Sequence, residues 1–167
     1  MIGIRNEIGS EFWSVQTAER RNNLFPESVQ WFLSGRSALT AIIRDIKESR
    51  EIHTVSIPSW CCDSMIIPFL REKIEVHFYP VYWKDGLIQE INVDNDVLLL
   101  MDYFGYTSSV TSSHPCAIRD VTHSFFSHIY SDAHYYFGSL RKWCGVKTGG
   151  YAWGANLDNG GIDEQFI

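Results

Sequence analysis

The sequence has few cysteines and no long apolar run, and both features restrict what the protein can be. Its four cysteines form no CxxC pair, so the usual spacing of a disulfide framework or a zinc site is missing. No stretch reaches the roughly 20 apolar residues of a membrane-spanning helix. Residues 1–16 lack the apolar core of a signal peptide. We therefore expect a reduced, cytoplasmic protein that holds no metal and contacts no membrane.

Positive charge is also in short supply. The 167 residues carry 14 Lys and Arg against 20 Asp and Glu, a net charge of −6. Nucleic-acid and anionic-membrane binders favour basic surfaces, so neither partner is expected. Apolar residues make up 45% and aromatic residues 14% of the chain, which is enough to form a packed core. The length fits one domain.

Hydrophobic periodicity predicts an alternation of strands and helices. Ser34 can cap a helix over residues 35–49, and residues 60–71 look helical but are interrupted by Pro68. Strands are predicted at 52–57, 74–81, 97–101, 117–121, 134–137 and 150–153, with a turn and short strand at 83–91 around Asp85-Gly86. This order predicts a three-layer α/β/α fold with a mostly parallel sheet. The Ser/Thr-rich stretch between residues 104 and 117 is expected to be a loop or a poor helix.

Polar segments follow several of these predicted strands. In parallel sheets, ligands bind at the carboxyl ends of the strands, so these segments are expected to meet at one edge. They are residues 34–37, 58–62, 102–106, 120–124 and 138–143. Each has an ordinary structural alternative, and their convergence is more informative than any one of them.

Asp120 and Lys142 carry the clearest chemistry in these segments. Asp120 could pair with a protonated ring nitrogen, or simply cap the turn at the end of its strand. Lys142 lies between Leu140 and Trp143, which predicts a partly buried amine able to form a Schiff base with an aldehyde. The alternative is a solvated loop lysine.

The other candidates are also open between two interpretations. The N-terminus of the helix at Ser34-Gly35-Arg36-Ser37 could bind a phosphate or be an ordinary capped end. Trp60 could cover a flat ligand or pack in the fold. Cys61 and Cys62 could be nucleophiles, but no activating base is evident nearby, and a buried cysteine usually acts as a small apolar side chain.

Five segments, in this order, resemble a known family. They are SGRSAL at 34–39, PSWCCDS at 58–64, MDYFG at 101–105, DVTHS at 120–124, and FGSLRKW at 137–143 followed by GG at 149–150. Together they resemble the DegT/DnrJ/StrS-type sugar aminotransferases, which have the fold type I of pyridoxal-phosphate enzymes. The resemblance implies pyridoxal 5'-phosphate as cofactor. It also implies amino transfer from an amino acid to a keto group, such as that of a nucleotide-linked sugar.

The resemblance assigns a role to each matching residue. Lys142 would hold the cofactor as a Schiff base, and Asp120 would pair with the pyridinium nitrogen. His123 stands where the family contacts the ring hydroxyl. The residues implied for the phosphate are Gly35, Arg36 and Ser139, and those implied for stacking on the ring are Trp60 or Cys62.

Two departures from the family pattern bear on function. Family members are longer and have a C-terminal domain that closes over the substrate, so this chain is expected to be the cofactor domain, residues 31–154, with an N-terminal arm 1–30 and a tail 155–167. The Ser/Thr-rich residues 107–113 replace the usual helix before the aspartate strand. The alternative function is therefore a truncated, non-catalytic homologue that binds cofactor or a partner. A nucleotide-binding fold is disfavoured because no GxGxxG or P-loop pattern is present.

A homodimer is expected, because the family completes its site across a two-fold interface. An aromatic, weakly charged set, Phe12, Trp13 and residues 103–106, suits the core of such an interface. The alternative is that these side chains pack within one chain.

Overall fold

The computed structural model describes residues 25–91, 94–105, 114–126, 133–154 and 157. Within them the chain forms nine strands, two α-helices and one 3₁₀ turn. The strands are β1 (Gln30–Phe32), β2 (Thr54–Pro58), β3 (Glu75–Tyr79), β4 (Val81–Trp83), β5 (Leu87–Gln89), β6 (Val97–Met101), β7 (Ala117–Asp120), β8 (Tyr135–Ser139) and β9 (Gly150–Gly154). The helices are α1 (Gly35–Ser49) and α2 (Asp63–Arg71), and the 3₁₀ turn is Leu140–Lys142.

Seven strands form one mostly parallel sheet, as the sequence predicts. Their order is β1-β9-β8-β7-β6-β2-β3. Strands β3, β2, β6, β7 and β8 are mutually parallel, while β9 runs antiparallel to β8 and to β1. Since β1 opposes β9, it runs in the same direction as the parallel strands. Helix α1, which follows β1, therefore begins at the edge where the parallel strands end.

Helix α1 has the bounds that the apolar spacing predicts. The Ser34 hydroxyl accepts a hydrogen bond from the backbone N–H of Ser37 at 3.1 Å, which caps the first turn. Its buried residues form one stripe: Ala38, Leu39, Ile42, Ile43 and Ile46. An isolated helix of this length is marginal in water, so burial of this stripe provides most of its stability.

Helix α2 begins at Asp63, three residues after the predicted start at residue 60. The preceding segment is held extended because the Ser59 N–H donates to the Tyr79 carbonyl at 2.9 Å. The Ser59 hydroxyl also accepts from the Val81 N–H at 2.9 Å. Pro68 lies inside the helix, which continues to Arg71, so the predicted interruption there is wrong.

The central strands of the sheet are buried on both faces. Alternate residues of β8 point to opposite faces, so Tyr135 and Phe137 join the core beneath the helices, while Tyr136 joins an aromatic cluster on the other face. That second cluster contains Val121, Phe125, Tyr136, Tyr151 and Trp153. Strand β6 is buried at every residue, as its continuous apolar run predicts. No helix in the described ranges is long and apolar enough to span a membrane.

Several strand limits differ from the predictions for identifiable reasons. The predicted strand 74–81 is divided at Pro80, which has no N–H to donate, into β3 and β4. Asp85 and Gly86 form the expected turn between β4 and β5, with φ of 53° and 151°. Strand β1 was not anticipated, because three residues are too few to show alternation. The predicted interface residues Phe12 and Trp13 and the segment 107–113 lie outside the described residues.

Asp96 generates a stability prediction. Its Oδ2 accepts from the backbone N–H of His53 at 2.7 Å and of Thr54 at 3.0 Å, and from the Thr54 hydroxyl at 3.1 Å. The His53 hydrogen bond is the largest cause that lowers the pKa of Asp96, followed by those from Thr54. Because the folded pKa is depressed, the stabilisation is present above the ordinary Asp value of about 3.9 and is lost as pH falls through the folded pKa.

We therefore expect Asp96→Asn to unfold more easily than the wild type at pH 7, with a difference that shrinks as pH falls below about 3.9. Urea unfolding between pH 2.5 and 7 measures it. The control is Glu48→Gln, which removes an exposed carboxylate from α1. A wild-type to variant difference that stays constant with pH would contradict the interpretation.

Candidate functional site

Three of the predicted polar segments meet at the carboxyl edge of the sheet. A Cβ placed on Gly35, in the first turn of α1, would lie 3.4 Å from the Gly138 carbonyl oxygen and from Cβ of Ser139. The Ser139 N–H in turn donates to the hydroxyl of Thr122 at 3.2 Å. The start of α1, the end of β8 and the segment after β7 are therefore contiguous.

Asp120 is buried at the end of β7, between the ends of β6 and β8. Its Oδ1 accepts from the Thr122 N–H at 2.8 Å. Burial is the largest influence on the pKa of Asp120 and raises it, while hydrogen bonds from Thr122 and the nearby His123 oppose the shift. An ionised carboxylate here is costly by itself, so the position favours a cationic group as neighbour.

His123 presents a buried ring nitrogen beside Asp120. Its Nδ1 has no hydrogen-bond partner among the residues that the structure describes. The imidazole stacks on the ring of Phe104, with centroids 5.6 Å apart and planes 18° from parallel. Phe104 adopts a left-handed backbone with φ of 53°. Buried polar atoms normally find a partner, so this nitrogen is available to a ligand hydroxyl.

Lys142 lies in the 3₁₀ turn directly after β8 and is exposed. The expectation that Leu140 and Trp143 would partly bury its amine is wrong, because the turn buries none of its three residues. The loop is nevertheless anchored, since the indole N–H of Trp143 donates to the Thr122 carbonyl. Lys147 is exposed as well, so burial does not distinguish the two lysines.

The N-terminus of α1 has the features of an ordinary cap. Besides accepting from the Ser37 N–H, the Ser34 hydroxyl lies 3.0 Å from the Ser37 hydroxyl. Helix geometry leaves the first N–H groups, at Gly35 and Arg36, without acceptors inside the helix. The Arg36 side chain is exposed beside them. The capping interpretation is confirmed, and binding of a phosphate at the same turn stays a prediction.

The segment after β2 is tied to the segment after β6. The Tyr103 hydroxyl donates to the carbonyl of Trp60, and the two rings meet edge to face with centroids 6.3 Å apart. Trp60 stays half-exposed. Cys62 is exposed, with Sγ 2.7 Å from the Ser64 hydroxyl. Both Trp60 and Cys62 therefore remain candidates for stacking on a ring.

Cys61 has no features of a nucleophile. Burial is the largest cause that raises its pKa to about 11, and neighbouring Cys62 and Asp63 raise it further. The thiol is therefore protonated at neutral pH, whereas the thiolate is the reactive form.

Of the aromatic residues predicted for an interface, the structure buries some and exposes others. Tyr103 is buried inside the chain, so its inclusion in an exposed face was wrong. Phe104 is 74% exposed, and Phe126 and Trp143 are exposed as well. Phe126 contacts Trp143 edge to face, with centroids 5.4 Å apart. Tyr106 lies outside the described residues.

Sequence reasoning missed Thr122 and the buried pair Asp102–Arg119. Thr122 bridges Asp120 and Ser139, and its position two residues after a strand-end aspartate is the signal of an Asx turn. Arg119 is fully buried in β7, where it follows Ala117 and Ile118. A charged side chain in a buried strand implies a buried partner of opposite charge, so the sequence did contain a signal for this pair.

No family model matches the sequence, and a search of curated proteins finds no match. The fold does match solved structures. PseC of Helicobacter pylori, an aminotransferase involved in the biosynthesis of pseudoaminic acid, superposes with a TM-score of 0.62 at 17% identity, over 77% of this chain and 40% of that one. The sugar aminotransferase CalS13 of Micromonospora echinospora gives 0.61 at 11% identity, over 77% and 42%.

A third similar structure is Spr1654 of Streptococcus pneumoniae in its PLP form, with a TM-score of 0.60 at 15% identity, over 77% of this chain and 42% of that one. The described chain thus has the fold of the large domain of these aminotransferases, as the sequence resemblance implies. It spans about two-fifths of the length of the chains it matches.

Gly150 makes the contact between α1 and the sheet possible, which gives a second prediction. A Cβ at Gly150 would lie 2.0 Å from the Ser34 carbonyl oxygen and 2.8 Å from the Gly35 nitrogen. We expect Gly150→Ala to lower the free energy of unfolding by about 1–3 kcal/mol, because rigid backbone must shift. The control is Gly35→Ala, whose added Cβ would meet its nearest atoms at 3.4 Å. Equal urea midpoints for the two variants would contradict this packing.

Proposed function

We propose that this chain binds pyridoxal 5'-phosphate at the carboxyl edge of the sheet. We further propose that it transfers an amino group from an amino acid to a keto group. One observation carries the proposal: two buried groups adjoin the anchored turn that presents Lys142. They are the carboxylate of Asp120 and Nδ1 of His123, which has no partner in the part of the chain that the structure describes. A carboxylate, a ring-hydroxyl partner and an accessible amine are the groups that this cofactor requires.

The described residues fit the cofactor in chemistry and in shape. Asp120 offers a buried anion to a protonated ring nitrogen, and His123 offers a hydrogen bond to the ring hydroxyl. The first turn of α1 offers backbone N–H groups to a phosphate, supported by the helix dipole and by Arg36. Gly35 lies against the carbonyl of Gly138 and Cβ of Ser139, which places this turn beside the end of β8.

Each residue has a distinct task in the proposed reaction. When bound, the cofactor supplies an electron sink for the carbanion formed at the substrate. Asp120 keeps a proton on the ring nitrogen, and His123 orients the ring. Lys142 would hold the cofactor through its Nζ, and the amino group of the donor would displace it. The freed amine of Lys142 would then accept a proton from Cα of the amino donor.

We also propose the wider setting that the resemblance implies. Residues 31–154 form the cofactor-binding unit of a cytoplasmic enzyme, and the keto acceptor is a nucleotide-linked sugar. Similarity to sugar aminotransferases such as CalS13 supports the acceptor class. We propose a homodimer as the working form, and the exposed rings of Phe104, Phe126 and Trp143 support it, since aromatic side chains are enriched in interface cores.

Lys142 is expected to be the covalent anchor. Adding pyridoxal phosphate to the wild type produces a visible absorption band, and borohydride fixes the label on the peptide that contains Lys142. Lys142→Ala abolishes the band. Lys147→Ala, the control from the same exposed loop, retains it, because Lys142 directly follows the strand end next to Asp120. A label on Lys147, or one scattered over many lysines, would refute the assignment. A band without transfer of an amino group would indicate the non-catalytic alternative.

Asp120→Ala is expected to leave the fold in place and weaken cofactor binding. A hydrogen bond to a charged group is worth about 1.5–3 kcal/mol, which corresponds to an increase in Kd of about ten- to a hundredfold. Titration of the visible band measures it, and far-ultraviolet circular dichroism checks the fold. Glu48→Ala on the exposed face of α1 is the control. An unchanged Kd in Asp120→Ala would remove this residue from the site.

A further inference from the structure

A buried ion pair is formed by the residue that precedes Asp120 in β7. Arg119, the preceding residue of β7, donates from Nη1 to Oδ1 of Asp102 at 2.7 Å, and both side chains are fully buried. Asp102 directly follows β6, the strand that pairs with β7. Removing two charges from water costs several kcal/mol per ion, so a buried pair is a weak source of stability. Its contacts point to another role.

Asp102 binds both ends of the segment that carries the candidate site. Its backbone N–H donates to the carbonyl of Asp120 at 3.1 Å. Its second carboxylate oxygen, Oδ2, accepts from the hydroxyl of Ser124 at 2.7 Å. The Ser124 N–H also donates to the Val121 carbonyl at 3.2 Å, which closes the turn. Asp102 is therefore hydrogen-bonded to both the first and the last residue of the Asp120–Ser124 turn.

The contacts of Asp102 set the orientation of the side chains between these two points. Asp120 begins the turn, and His123 immediately precedes Ser124, so a displaced Ser124 moves the imidazole with it. A hydroxyl that donates to a carboxylate forms a shorter and stronger bond than one that donates to a neutral acceptor. The partner Arg119 holds the other carboxylate oxygen, Oδ1, in place.

We propose that Asp102, acting through Ser124, is the positioning residue that holds Asp120 and His123 in the orientation needed to bind the cofactor ring. This proposal rests on the proposed function. Asp102 itself is buried, and it bonds Arg119 as well as residues of the turn.

Ser124→Ala tests the role while leaving the Asp102–Arg119 pair intact. We expect the Kd for pyridoxal phosphate to rise about tenfold. We also expect the visible circular dichroism per bound cofactor to fall, since that signal depends on a fixed orientation of the ring. Asp102→Asn, which preserves the shape and removes the charge, is expected to have a larger effect of the same kind. If Asp102→Asn does not fold, Ser124→Ala alone decides.

Tyr135→Phe is the matched control. It also removes a hydroxyl that donates to a carboxylate, since Tyr135 of β8 bonds Oδ2 of Asp45 in α1 at 2.6 Å. Tyr135 lies at the start of β8, at the opposite end of the strand from Ser139. We expect it to lower the urea midpoint as Ser124→Ala does, without changing the visible signal.

The outcomes distinguish the two proposals. A wild type without a visible band overturns the proposed function and the positioning role together. A wild type with the band, and a Ser124→Ala variant with unchanged affinity and visible circular dichroism, overturns the positioning role alone. Equal losses of cofactor affinity and visible circular dichroism in Ser124→Ala and Tyr135→Phe also overturn it, because general destabilisation would then explain both.

Discussion

The parallel hydrogen bonding of β7 between β6 and β8 is the constraint on which the candidate site depends. Its register places Met101 and Asp120, the last residues of β6 and β7, beside Phe137, which lies two residues before the end of β8. The chain therefore leaves all three strands at one edge, and three polar segments begin there together. A slip of β7 by one residue would turn Asp120 to the opposite face of the sheet. The hydrogen-bond register of the strands thus determines which side chains lie close enough to act on the same ligand.

The antiparallel pair β9–β1 brings the remaining element to that edge. Strand β9 begins at Gly150, opposite both Ser139 of β8 and Phe32 of β1. Only two residues separate the end of β1 from Gly35, so α1 starts next to the end of β8. The absence of a side chain at Gly150 allows this approach, because the Ser34 carbonyl occupies the place of its Cβ. The position of the helix N-terminus is thus a consequence of topology and of one small residue.

The parts of the fold that follow from periodicity could be predicted from the sequence. The apolar spacing of α1 and the continuous apolar run of β6 gave the correct bounds, because burial of one stripe or of both faces leaves a direct mark on the sequence. The polar segments after the strands were also predictable, as was their meeting at one edge. The exposure of Lys142 was not, because neighbours in sequence do not determine burial in a single 3₁₀ turn. The contacts of Asp102 with Asp120 and Ser124 depend on strand register, which no local pattern encodes.

The electrostatics of the edge explain why the site suits a cationic ligand. Burial raises the pKa of Asp120, and the charge of Asp102 raises it slightly further. A carboxyl group with a raised folded pKa favours the folded state in its protonated form, and this stabilisation is lost as pH rises from about 3.9 through the folded pKa. At neutral pH the ionised form of Asp120 is therefore destabilised by its burial unless a positive charge lies beside it. A protonated ring nitrogen at that place changes the unfavourable burial of Asp120 into an attraction. The fold thus keeps the Asp120 carboxylate poorly solvated at the place where the proposed cofactor brings a protonated ring nitrogen. Binding energy is gained at this nitrogen, which has to stay protonated.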